Sequence, residues 1–166
     1  AETRAAVADA ICKAAGRDVK IVAGLDTTLQ PIPVYPTPEG AGALQNWPHR
    51  EFTKGDAPEF LYRKIRENPG EVTLVAIGNM TNVATLFLNH PDAPGLLKAL
   101  HVMNGYFGAE KLPDPYYNWN SWADPKASEV VFASKVPVHR VLPLEVTEQL
   151  TLDAAEAARM LDKTVP

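Results

Sequence analysis

The hexapeptide Val72-Thr73-Leu74-Val75-Ala76-Ile77 constrains this chain more than any other stretch. Pro69-Gly70 precede it and Gly78-Asn79 turn the chain after it. A run this short and this apolar reads as a strand covered on both faces, the signature of a parallel sheet. A parallel strand is reached by a crossover, usually a helix, and helical segments flank it. Asp56-Ala57-Pro58-Glu59 places a cap residue three positions before a glutamate, which predicts a helix to about Asn68. After the turn, Thr81 or Asn82 opens another helix that ends near His90-Pro91.

The same alternation extends in both directions. Apolar residues at 6, 7, 10, 11 and 14 give segment 2–15 a helical period closed by Gly16. Val19-Lys20-Ile21-Val22-Ala23 reads as a short buried strand. A short helix over 94–99 leads to the strand Leu100-His101-Val102-Met103. Asp124-Pro125 starts a helix ending near Ser134, Val138 to Leu142 form a fourth strand, and 153–162 form a last amphipathic helix. The expectation is one α/β domain built on a largely parallel sheet with helices on both faces.

Ligands in open α/β sheets bind beyond the carboxyl ends of the strands. The segments that follow those ends are 24–50, 78–82, 104–123 and 143–150. The first is long and proline-rich, and a loop of that length in a compact domain is functional or disordered. The third holds Tyr106, Phe107, Tyr116, Tyr117, Trp119 and Trp122, a set suited to stacking a nucleobase or to forming a lid or subunit contact. A pocket is expected there.

Composition removes other classes. A net charge of −4 with no Lys/Arg run argues against nucleic acid. No stretch approaches the roughly eighteen consecutive apolar residues of a membrane span. One cysteine, Cys12, makes neither an intrachain disulfide nor a Cys-based zinc site; on the apolar side of the first helix it reads as a buried small hydrophobe. His49, His90, His101 and His139 lack metal-ligand spacing, and no Gly-x-Gly-x-x-Gly follows a strand. Glu145 and Glu148 flank Thr147 after the last strand, where a carboxylate pair for glycoside hydrolysis competes with a plainer exposed acidic loop.

Four ordered segments resemble the nucleoside hydrolases, the inosine-uridine preferring N-ribohydrolase family. Residues 72–85, Val-Thr-Leu-Val-Ala-Ile-Gly-Asn-Met-Thr-Asn-Val-Ala-Thr, are similar to that family's strand, glycine turn and Leu-Thr-Asn helix start. Leu100-His-Val-Met-Asn-Gly resembles Val-Leu-Met-Gly-Gly, and Asn120-Ser-Trp-Ala-Asp-Pro-Lys-Ala-Ser resembles Glu-Phe-Asn followed by Asp-Pro-Glu-Ala-Ala. Pro137-Val-His-Arg-Val-Leu-Pro-Leu-Glu-Val-Thr-Glu-Gln resembles a strand ending in Leu-Asp-Val-Thr-His-Gln. The resemblance implies a Rossmann-like sheet and Ca²⁺-dependent hydrolysis of the N-glycosidic bond of nucleosides to base and ribose. An aspartate serves as general base, and calcium holds the ribose hydroxyls and the attacking water.

By this resemblance Thr81 matches a threonine whose backbone carbonyl binds calcium; on its own it reads as a helix cap. Met103 matches a methionine beneath the sugar, or a core residue at a strand end. Asn120 matches a ribose-binding asparagine, or a loop residue making local turn bonds. Asn118 stands where the family has a glutamate, so a charged sugar contact becomes neutral. Asp124 reads as a helix cap and nothing more.

The departures weigh as much. The family's Asp-x-Asp-x-x-x-Asp-Asp cluster lies on a first strand upstream of the helix at which this sequence opens, and its last calcium aspartate lies beyond the final matched segment. Glu39 replaces the histidine of the His-Gly-x-x-Gly-Leu loop. The chain, which opens on Ala1 and not Met, thus reads as a partial family fold lacking that first strand, the whole being about the upper size of a single domain. One neutral carbonyl cannot assemble calcium's ligands, so neither Ca²⁺ binding nor turnover by this chain alone is expected. The alternative is a non-catalytic binding or assembly module with an exposed sheet edge. A homo-oligomer is compatible with either. A cytoplasmic setting is favoured, and any targeting peptide would precede Ala1.

Overall fold

The computed structural model describes residues 1–30, 37–38, 40–53, 55–108 and 118–164. Element order is α1 (Glu2–Ala14), a 3-10 turn (Ala41–Gln45), α2 (Ala57–Glu67), β1 (Thr73–Ala76), α3 (Thr81–Asn89) and α4 (Ala93–Leu96). Next come β2 (Ala99–Met103), α5 (Trp119–Trp122), α6 (Pro125–Phe132), β3 (His139–Leu142), α7 (Leu144–Thr147) and α8 (Ala154–Thr164). The three strands form one parallel sheet in the order β1-β2-β3, flanked by helices on both sides. Leu100 faces Leu74 on one side and His139 on the other, which fixes the register.

The expected punctuation operates. Asp56 caps α2 by accepting from the Glu59 amide at 3.4 Å, and Asp124 caps α6 by accepting from Ala127 at 3.1 Å, each with proline in the first turn. Glu59 does not complete a capping box: its carboxylate meets His90 Nε2 at 2.6 Å, and His90 stacks on the Tyr62 ring at 3.5 Å, locking α2 to the end of α3. The core gathers Ile65 of α2, Met80, Ala84 and Leu86 around α3, Leu100 and Val102 of β2, and Val131 of α6.

Three expectations change. Residues 19–23 form no strand, because an apolar run becomes a strand only with a ladder partner, and among the described residues none lies beside it. Instead Arg50 donates to the Val19 carbonyl at 2.9 Å, and Ala23 lies against Gly55, where an added Cβ would sit 2.0 Å from the Ala23 oxygen. The sheet therefore has three strands and not four among those residues. Second, β1 is an edge strand among the described residues: Leu74 and Ala76 pack into the core, but Val75 is 62% exposed on the opposite face and Ile77 beyond it is 76% exposed. Third, the loop over 104–123 contains the helical turn α5; Tyr116 and Tyr117 lie outside the described residues.

The buried side of α1 also departs from its apolar pattern. It carries Ala5, Ala6, Asp9 and Ala10, while Ile11 is exposed and Cys12 half-buried. Asp9 is tolerated there because Arg50 reaches it through its backbone N–H at 2.6 Å and its Nε at 2.7 Å, with Lys13 at 3.2 Å. Burial pushes the Asp9 pKa up, but these donors outweigh it and hold the carboxyl at about 2, below its usual 3.8.

Because the folded pKa is depressed, the ionised Asp9 contributes stability that is fully present above 3.8 and lost as pH falls toward 2. Urea unfolding should show Asp9→Asn less stable than wild type at pH 6, with the gap closing across that acid window. Leu100→Ala, at the centre of the sheet, should cost about 2–5 kcal/mol in the same assay.

Candidate functional site

Residues 77–79 leaving β1, residues 21–27 of the irregular segment and the N-terminal ends of α3 and α5 surround a cavity of about 590 Å³. Thr81, Asn82, Asp26, Trp119 and Asn120 line it, and α1 contributes Arg4. This is the carboxyl side of the sheet, where the strand order places a site.

Asn120 ties the strand ends together. Its Nδ2 donates to the Ile77 carbonyl at 3.2 Å, the Met103 carbonyl at 2.9 Å and the Met103 sulfur at 3.1 Å. Met103 therefore joins Asn120 directly, although it is not among the residues lining the cavity. Asn118 precedes α5 without capping it; it is 8% exposed, and its Oδ1 is buried without a hydrogen-bond partner among the described residues. Such an atom costs about 1–3 kcal/mol unless something fills its lone pairs. Thr81 is buried but does not cap α3, whose N-cap is Met80; its hydroxyl donates to Asp124 Oδ2 at 2.7 Å. Glu39 lies outside the described residues.

Sequence reasoning missed three participants. Asn82 Oδ1 accepts from the Leu25 amide at 2.9 Å, and Gly24 packs so closely that an added Cβ would lie 2.8 Å from Asn82 Nδ2. Asp124 is more than a cap: it also accepts from the amides of Leu29 at 2.8 Å and Gln30 at 3.3 Å. Behind α5, buried Asn104 donates to Ser128 at 3.3 Å and accepts from Ser121, whose oxygen also takes the Gly105 amide at 3.2 Å. Only Asp124 carried a local signal, the Asp-Pro pair. Glu145 accepts from the Phe107 amide at 2.9 Å, while Glu148 is exposed, so the two glutamates form no pair across a cleft.

Calcium takes six to eight oxygen ligands and draws on carboxylates. Among the described residues Asp26 is the one carboxylate lining the cavity, and it pairs with the Ala1 amino group at 2.5 Å. Among the described residues no group of three or more His, Cys, Asp or Glu side chains is placed to hold a metal. That donor set does not fit calcium. Nor, among those residues, is any helix long and apolar enough to cross a membrane.

A sequence profile described as inosine-uridine preferring nucleoside hydrolase matches residues 1–165. An uncharacterized protein of Schizosaccharomyces pombe is 33% identical over 153 residues, covering 88% of this chain and 49% of that protein. The pyrimidine-specific ribonucleoside hydrolase RihA of Salmonella arizonae is 36% identical over 103 residues, 62% of this chain and 32% of its own length. A purine-preferring ribonucleoside hydrolase from Gardnerella vaginalis has the same fold, with a TM-score of 0.80 at 22% identity over 97% of this chain and 54% of that one. The chain belongs to the inosine-uridine preferring nucleoside hydrolase family. It spans about half the length of the yeast relative and about a third of the bacterial one.

Asn120→Ala would strip donors from two strand-end carbonyls. It should lower unfolding stability by about 1–3 kcal/mol whether or not a ligand is present, measured by denaturant titration of the apo chain.

Proposed function

We propose that this chain supplies the sugar-contacting part of a nucleoside N-ribohydrolase site, and that it binds the ribosyl group without cleaving the N-glycosidic bond by itself. The Oδ1 of Asn118, buried and without a partner among the described residues, carries this reading. A ribose hydroxyl is a donor of the right kind for it. Asn120, whose nitrogen is committed to the strand ends, would offer Oδ1 to a second hydroxyl, with Met103 holding that side chain in place through its carbonyl and sulfur. Cleavage needs a general base and, in this family, carboxylates for calcium; the described residues hold no group of three or more side chains placed for a metal, and the Asp26 carboxylate at the cavity pairs with the Ala1 amino group. Thr81 would add at most one carbonyl.

A second reading, an assembly module, is favoured by the outer edge of β1, open among the described residues, with Val75 and Ile77 exposed beside it. An unpaired edge is a template for another chain, and a second copy is the simplest partner.

Calorimetry with ribose and with inosine, paired with an assay for released base, tests the first reading. Binding without base release is expected, and Asn118→Ala should weaken it by about three- to tenfold. No heat with either ligand overturns the assignment, and base release by the purified chain overturns the claim of binding without cleavage. For the assembly reading, light scattering should show a dimer that Val75→Lys with Ile77→Lys disperses. A monomer at every concentration would contradict it.

A further inference from the structure

We infer that Asp124 is a positioning residue that fixes the irregular wall of the cavity against the strand ends, shaping a site it does not itself touch. Its carboxylate is fully buried, and its four hydrogen bonds come from uncharged donors on three separate parts of the chain. Oδ2 accepts from the Leu29 amide at 2.8 Å and the Thr81 hydroxyl at 2.7 Å; Oδ1 accepts from Ala127 at 3.1 Å and Gln30 at 3.3 Å. A helix cap requires only the Ala127 bond. The bonds to Leu29 and Gln30 cross more than ninety residues of sequence and serve a segment that has neither helix nor ladder to hold its amides.

The clamp has two ends. Asn82 Oδ1 secures the Leu25 amide at 2.9 Å, and Asp124 secures Leu29 and Gln30. The cavity-lining residues 25–27 run from the first anchor toward the second. Thr81 links the anchors, because it neighbours Asn82 and donates to Asp124. A carboxylate suits this junction: both oxygens only accept, so each takes two donors, whereas a carboxamide would turn an N–H₂ toward N–H groups. That the wall positions a sugar rests on the proposed ribosyl site; the clamp itself rests on the geometry.

Amide hydrogen exchange of the whole chain, followed residue by residue, separates the two. In wild type, Leu29 and Gln30 should exchange at least about tenfold more slowly than exposed loop amides, and free exchange there overturns the clamp without any variant. In Asp124→Asn, exchange at Leu25, Leu29 and Gln30 should rise by about ten- to a hundredfold while Leu100 and Val102 stay protected. A uniform rise across the sheet would make Asp124 a general stability residue and overturn the inference. Calorimetry with ribose should show weaker binding by Asp124→Asn; unchanged affinity beside a loosened wall also overturns it. If wild type binds no sugar, the proposed function falls, and the exchange pattern still decides the clamp.

Discussion

The parallel pairing of β2 between β1 and β3 is the constraint on which the rest depends. Among the described residues only β2 has neighbours on both edges, and its Leu100 and Val102 are buried at the centre of the core. Parallel strands need all their connections to pass over the faces, so α3, α4 and α6 are carried by the crossovers, and their packing follows. The pairing also brings the carboxyl ends of the strands to one level. Ile77 and Met103 end close enough for the amide of a single asparagine, Asn120, to bond both.

Polar side chains then do at the strand ends what backbone ladders do within the sheet. Asn120 satisfies two carbonyls, Asn82 and Asp124 satisfy amides of the segment over 25–30, and Ser121 with Asn104 satisfies Gly105. Buried networks of this kind are costly when incomplete and specific when complete. Among the described residues Asn118 Oδ1 is one of four buried side-chain atoms left without a partner, and its residue directly precedes Trp119 and Asn120 of the cavity lining. Among the described residues Asp26 is the one carboxylate in the cavity lining.

Much of the fold was legible because its signals are local. Asp56 and Asp124 cap helices from three-residue patterns, and Leu100 to Met103 announce a strand by composition. What was not legible depends on partners distant in sequence. Residues 19–23 are as apolar as a strand, yet strandedness requires a neighbour, and none pairs with them among the described residues. The run over 72–77 looks covered on both faces because hydropathy counts residues, not what lies opposite them. Asp9 sits on the buried side of α1 because Arg50, 41 positions away, compensates its charge. Of the site residues read by resemblance, Thr81 and Asn120 line the cavity, Met103 joins through Asn120, and Asn118 stands beside α5. The long-range half of Asp124's role had no local signature.

The central claim is that the strand ends of this chain hold a ribosyl group through Asn118 and Asn120. The most direct test is nuclear magnetic resonance of the side-chain amides in the isotope-labelled chain during titration with ribose. The account predicts saturable shifts of the Asn118 and Asn120 side-chain resonances, with amides of the distant α2 unmoved. Shifts confined to residues away from the cavity, or no shift up to high millimolar ribose, would contradict it.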